Sequence, residues 1–255
     1  MCGRFSLSSS AEMIGRLFDV DPAPAEILGP RYNIAPTQPV LVLRARLEPP
    51  AALRQPSEDG PGARAPRPAP AFPRELTLMR WGLVPSWAKD LDIGARLINA
   101  RSETAAEKPA FRAAFRRRRC LVPADGFYEW RKLDGRKQPY HIRMADGAPF
   151  AIAGLWERWE PADGSVLESC TLLTTEANAR VRPLHDRMPV ILPPEDWAPW
   201  LDPELEQAEL LQPLLRPFDP AAMTSQAVSS YVNSPRNEGP DCQTPVEVDE
   251  PPRLW

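Results

Sequence analysis

The chain lacks the features that would place it in a membrane or mark it for export. No stretch of its 255 residues approaches the ~18 uninterrupted apolar residues of a spanning helix, and the N-terminus has no signal-peptide core. A soluble, cytoplasmic protein is expected. Cysteine is sparse. Cys2, Cys120, Cys170 and Cys242 lie far apart with no C-x-x-C pair, which argues against zinc on spacing and against a disulfide framework in a reducing cytosol. Neither a metal nor an organic cofactor is implied. Histidine is rarer still, with only His141 and His185, and lysine occurs only at Lys89, Lys108, Lys132 and Lys137. Nearly every cation is therefore an arginine.

What is present suffices for a folded protein. A hydrophobic fraction of 43% over this length supports one large domain with its own core. A net charge of -3 argues against indiscriminate binding to polyanions, but the charges are segregated. Cations crowd between Arg96 and Lys137, including the run Arg116 to Arg119, and acids gather at Glu195 to Glu206 and Glu247 to Glu250. A basic middle fits either a groove for a phosphate backbone or a solvated helix face.

The pattern along the chain indicates an α+β single domain whose antiparallel sheets form a barrel-like core with flanking helices. Residues 45–74 are rich in Pro, Ala, Arg and Gly and read as a flexible insertion between two strands, Leu41 to Leu43 and Leu76 to Met79. Further strands are expected at Arg119 to Val122, Phe127 to Arg131, Tyr140 to Met144, Phe150 to Trp156 and Ser169 to Thr174. Asp134-Gly135, Asp146-Gly147 and Asp163-Gly164 are hairpin signals between them. Helices are expected at Ser10 to Phe18, Glu103 to Phe115, Glu176 to Val181 and Glu195 to Leu201. An acidic, Pro-containing tail, 240–255, is expected to be loosely held.

Cys2 carries the sharpest chemistry. Methionine aminopeptidase removes Met1 before a small residue, and the mature chain then begins with an amine and a thiol on neighbouring carbons. Such a 1,2-aminothiol condenses with an aldehyde to an imine and closes through sulfur to a thiazolidine. The two groups titrate near ~8 and ~8.5, so a useful fraction of each is nucleophilic at neutral pH. Further polar and aromatic clusters follow: Arg31-Tyr32-Asn33-Ile34-Ala35-Pro36-Thr37, Met79 to Trp87, Ile98 to Thr104, Ala124 to Trp130, and Pro183 to Pro189.

These motifs, in this order from Cys2 to about Asn237, resemble the SOS-response-associated peptidase (SRAP) family, also called abasic-site processing proteins. The resemblance implies a domain over residues 1–239 interrupted by the insertion. It implies a monomer that covalently captures abasic sites in single-stranded DNA during the damage response, with Cys-dependent, lyase- or peptidase-like activity and nucleoid association when bound. By the same resemblance Cys2, Asn99, Glu129 and His185 are the catalytic set. Asn99 holds the open sugar or the amine, Glu129 shuttles protons, and His185 acts on the ring-oxygen side of the sugar. His141, in an alternating strand, reads as structural.

DNA contacts are expected from Arg4, Arg80, Arg101 and Arg187 on phosphates and from Trp81 and Trp87 by stacking on bases, with Asn33, Pro36, Thr37 and Thr175 lining the groove. Three rivals use the same residues. A class II glutamine amidotransferase also opens Met-Cys-Gly, but its downstream glycine-rich motifs are missing. A thiol peptidase would use Cys2 on amides. A reversible single-strand binder would use the Arg and Trp residues without covalent chemistry.

Overall fold

A computed structural model describes the protein over residues 2–46, 72–133 and 135–248. Two sheets carry the fold. The first contains β1 (Phe5–Leu7), β2 (Arg31–Ile34), β7 (Gly126–Leu133), β8 (Arg136–Met144) and β13 (Met223–Ala227), in the order β13-β8-β7-β1-β2, all antiparallel. The second contains β3 (Pro39–Ala45), β4 (Arg74–Trp81), β5 (Asn99–Arg101), β6 (Arg119–Ala124), β9 (Phe150–Trp159), β10 (Leu167–Glu176), β11 (Arg187–Pro189) and β12 (Ile191–Leu192). Within it β10 pairs with β4, β4 with β3, β3 with β6, β6 with β9, and β9 again with β10, closing a five-stranded barrel. The closure contains one parallel pair, Ser169–Cys170 beside Arg80–Trp81, and β5 also lies parallel on β10.

The barrel strands are apolar on both faces because they are covered on both. Val40 to Leu43, all of β6 and the first eight residues of β9 are buried without alternation. The inner faces fill the barrel, while the outer faces meet the first sheet and the helices. Those helices are α1 (Ala11–Phe18), α2 (Ala23–Leu28), α3 (Ser102–Ala105), α4 (Arg112–Arg117), α5 (Pro194–Leu201) and α6 (Ala208–Leu211). Ser10 caps α1 by accepting from the Met13 N–H, and Phe18 packs on Trp197 of α5 at 4.8 Å.

Several sequence expectations need correction. The helix expected over Glu103 to Phe115 is two, α3 and α4, because Pro109 cannot continue the first. The helix expected over Glu176 to Val181 does not form: Glu176 ends β10, and Asn178 Oδ1 accepts the N–H groups of Arg180 and Val181, which competes with a helical ladder. Gly135 and Gly164, at φ of +77° and +78°, turn the β7–β8 and β9–β10 hairpins. The Asp146-Gly147 turn instead carries the chain between the two sheets, as β8 and β9 do not pair. Of the expected insertion at 45–74, the flanks belong to paired β3 and β4, and 47–71 lies outside the described residues.

The expected loose tail is held at its start. Cys242 is buried against Tyr128, Val228 and Val232, Val228 bridges Pro245, and the Val246 N–H donates to Ala227 O. Residues 249–255 lie outside the described residues.

The Arg116 to Arg119 run is also absorbed into the fold. Arg117 pairs with Glu206 and Arg118 with Glu157, both at 2.7 Å. Arg119 is buried and donates to the carbonyls of Phe115, Arg116, Trp200 and Asp202, capping α4 and the end of α5. Burial lowers its pKa to about 10. Apart from the more exposed Arg116, the run meets carboxylates and carbonyls.

Gly126 shows how tightly the first sheet is packed. A Cβ there would lie 2.1 Å from His141 Nε2 and 2.8 Å from Ile142 O. Gly126→Ala should destabilise the protein by roughly 1–3 kcal/mol through overpacking. Urea denaturation followed by tryptophan fluorescence checks this, and an unchanged midpoint would mean that β7 and β8 can part at that rung.

Candidate active site

The N-terminal arm lies beside β7. The Tyr128 N–H donates to Arg4 O at 2.9 Å, so residues 2–4 continue the line of β1. The Arg4 guanidinium donates to Asn33 Oδ1 at 2.6 Å and to Val232 O at 2.9 Å, with Trp130 stacked 5.7 Å from it. Beneath it, Asn33 Nδ2 donates to the carbonyls of Val232, Ser234 and Asn237. Glu238 accepts from the backbone N–H groups of Tyr32 and Asn33. Trp130 Nε1 in turn donates to Asn233 Oδ1 at 2.7 Å. The arm is thus clamped between β7 and a C-terminal segment, 232–238.

Cys2 is completely buried at the end of this arm. Burial first, and then the nearby Glu129 carboxylate, push its thiol up to about 12. Asn99, at the start of β5, donates from Nδ2 to Cys2 O at 2.7 Å, while its own Oδ1 is buried with no partner among the described residues. Glu129 is nearly buried on β7, and burial raises its carboxyl while the chain's N-terminal amine and His185 oppose that rise. His185 stands on the turn before β11. Its Nδ1 accepts the Arg187 N–H at 2.9 Å and lies 2.8 Å from Asp186 Oδ1. The backbone contact suits Nδ1 as an acceptor and the Asp186 contact suits it as a donor, so the two contacts call for opposite tautomers of the ring.

A cleft of about 560 Å³ is lined by Arg4, Glu129, Trp130, Lys132, Lys137, His185 and Asn233. Cys2 and Asn99 are joined to this cleft through Arg4 and Glu129. A thiol, an amide, a raised carboxyl and an imidazole therefore converge from four distant parts of the chain. Among the described residues no group of three or more His, Cys, Asp or Glu could hold a metal.

A family model, SOS response associated peptidase (SRAP), matches residues 1–235. The chain belongs to the SRAP family. It is 41% identical over 243 residues to abasic site processing protein YoqW of Bacillus subtilis, covering 94% of this chain and 98% of that one. It is 43% identical over 239 residues to YoaM of the same organism, likewise an abasic site processing protein, covering 93% and 95%. A crystal structure of a Bacteroides thetaiotaomicron protein matches with a TM-score of 0.78 at 26% identity, over 96% of this chain and all of that one. No helix among the described residues is long and apolar enough to cross a membrane.

The residues expected to touch DNA in this SRAP chain divide. Arg4 lines the cleft, but Asn33 lies buried beneath it as a structural bracket. Trp81 is completely buried, edge-on to Phe5 at 5.2 Å and donating to Ile98 O, so it belongs to the core and offers no stacking face. Trp87, by contrast, is 59% exposed. Thr175 is buried in β10, away from the cleft lining. Arg80 donates to Thr37 O and holds the loop of Pro36 and the exposed Thr37, whose φ is +72°. Arg187 forms a two-pronged pair with Glu103 and also donates to Thr174 O, whereas Arg101 is exposed.

Sequence reasoning missed Lys132, Lys137 and Asn233. The short polar run after Val232 is the only local hint of the last, and it is weak.

The raised Glu129 pKa fixes the sign of a stability effect. A carboxyl whose folded pKa exceeds its unfolded value destabilises the folded state as pH rises through that interval, and costs nothing below the unfolded value. Glu129→Gln should therefore be more stable than wild type at pH 7, with the difference shrinking towards pH 4. Denaturation midpoints at both pH values test this, and a less stable variant at pH 7 would show that the carboxylate's ionic contacts outweigh its burial.

Proposed function

We propose that this protein processes abasic sites, as its named relatives do, by capturing them covalently in single-stranded DNA through Cys2. The observation that carries the reading is the contact of Cys2 with Asn99 beside the Glu129 and His185 cleft. An abasic deoxyribose opens to an aldehyde at C1′. With Met1 removed, the Cys2 amine adds to that carbon and gives a carbinolamine. The Glu129 carboxyl protonates the carbinolamine hydroxyl, which leaves as one water and gives an iminium, and the thiol then adds to the iminium carbon while its proton returns to Glu129. The product is a neutral thiazolidine, and the whole sequence releases one water.

A desolvated pocket favours this end point. It penalises thiolate and ammonium alike and is left with an uncharged ring. The ring has no electrophilic C=N, so strand cleavage by β-elimination is suppressed. His185, on the wall of the cleft, supplies an imidazole suited to proton transfer at the sugar ring oxygen as it opens. Asn99 Oδ1 is a free acceptor for the amine or a sugar hydroxyl. The exposed Trp87 provides a face for a neighbouring base.

The test is a denaturing gel of Met1-processed protein with single-stranded DNA carrying one abasic site. Wild type should give a heat- and detergent-stable shifted band, and Cys2→Ala should give none without reduction. Cys2→Ser should give a band only after borohydride, because its amine still forms the imine. Glu129→Gln should slow capture by about 10²-fold or more, the usual worth of general acid–base catalysis. Absence of the wild-type band would turn attention to amide hydrolysis or reversible DNA binding.

A further inference from the structure

The cations around the cleft differ in what they already hold. Arg4 is engaged by Asn33 and Val232, Arg187 by Glu103 and Thr174, and Arg31 by Glu238. Lys132 and Lys137 line the same cleft, are exposed, and have no carboxylate or carbonyl partner among the described residues. They also face each other directly, since the β7–β8 register pairs Lys132 with Lys137. Opposed like charges weaken an antiparallel ladder, so the rung is unfavourable as it stands. An anion between the two ammonium groups relieves that repulsion.

The backbone around the rung makes it accessible. Beside β7 the β1 line bonds only as far as Tyr128, and beside β8 the β13 line bonds only as far as Gln138. The hairpin therefore projects beyond the sheet as a two-stranded ribbon, with Arg131 and Arg136 beside the lysines. In a chain that uses arginine almost everywhere else, two of its four lysines stand here. Lysine is a compact charge on a flexible stem and, unlike arginine, demands no fixed planar geometry. That suits a phosphate whose position shifts as the sugar beside it opens.

We propose that the Lys132–Lys137 rung anchors one phosphodiester next to the lesion nucleotide and so sets the path of the strand through the cleft. The assignment rests on the abasic-site reading and adds to it a residue pair outside the recognised motifs.

Binding is measured with a single-stranded oligonucleotide carrying a tetrahydrofuran residue at the lesion position, which has no aldehyde and reports the grip without the covalent step. K132Q/K137Q should bind about tenfold more weakly, and its dependence of log affinity on log salt should be shallower by about 0.7 for one lost phosphate contact. K132R/K137R should keep most of both. Methylphosphonates placed at each linkage in turn should weaken wild type most at one linkage beside the lesion, and that loss should vanish in K132Q/K137Q. Its thermal midpoint should be no lower than wild type, since a repulsive rung has gone.

Equal affinity and salt dependence in the double Gln variant, or an unchanged methylphosphonate profile, overturns the proposal. Crosslinking of an aldehyde-bearing strand by wild type is scored separately. Its failure would refute covalent capture while leaving the binding comparison readable.

Discussion

The side chain of Asn33 accepts from Arg4 and donates to three carbonyls of the segment 232–238, and the position of Cys2 depends on these contacts. Two parts of the chain some two hundred residues apart meet on one amide. Every polar atom of that amide is satisfied in a buried setting, where an unmet donor or acceptor costs about 1–3 kcal/mol. Arg4 then lies between the Asn33 bracket and the Trp130 face, and Cys2, two residues earlier, has little freedom left. A residue so early in a sequence is ordinarily mobile. Cys2 is instead packed like an interior residue.

That packing also sets the chemistry. Burial raises both the Cys2 thiol and the Glu129 carboxyl, so the resting site favours neutral forms. The reaction proposed for it passes through a cationic imine and ends uncharged. The closed barrel supports this indirectly, because β5 is fixed on β10 and brings Asn99 to the Cys2 carbonyl. The sheet and the barrel thus contribute one side of the site each.

Much of the core was legible because strands such as β3 and β9 carry continuous apolar runs, Val40 to Leu43 and Phe150 to Trp156, and turn glycines mark the ends of several strands. The strand pair around residues 45–74 was readable for the same reason. Short elements were not readable. β5, β11 and β12 have two or three residues and exist only because β9 or β10 offers an edge. The Cys2, Asn99, Glu129 and His185 group was visible through family motifs, since no periodicity could place four such distant residues together. Trp81 and Asn33 were misread as groove residues because a motif shows that a side chain matters without saying which way it faces. The lysine rung escaped notice because its meaning lies in register, a property of two strands together.

The clamp over the N-terminal arm has a consequence for the order of events during synthesis. Residues 232–238 emerge from the ribosome long after Cys2. At about 5–20 residues per second, the first residues wait on the order of ten to fifty seconds before their bracket exists. Throughout that interval the start of the chain is not yet held, whereas in the finished fold Arg4 is tied to Asn33 and Val232. Removal of Met1, which the proposed capture chemistry requires, has that interval in which to occur before the clamp forms. A chain that kept Met1 would have no free Cys2 amine for the proposed addition.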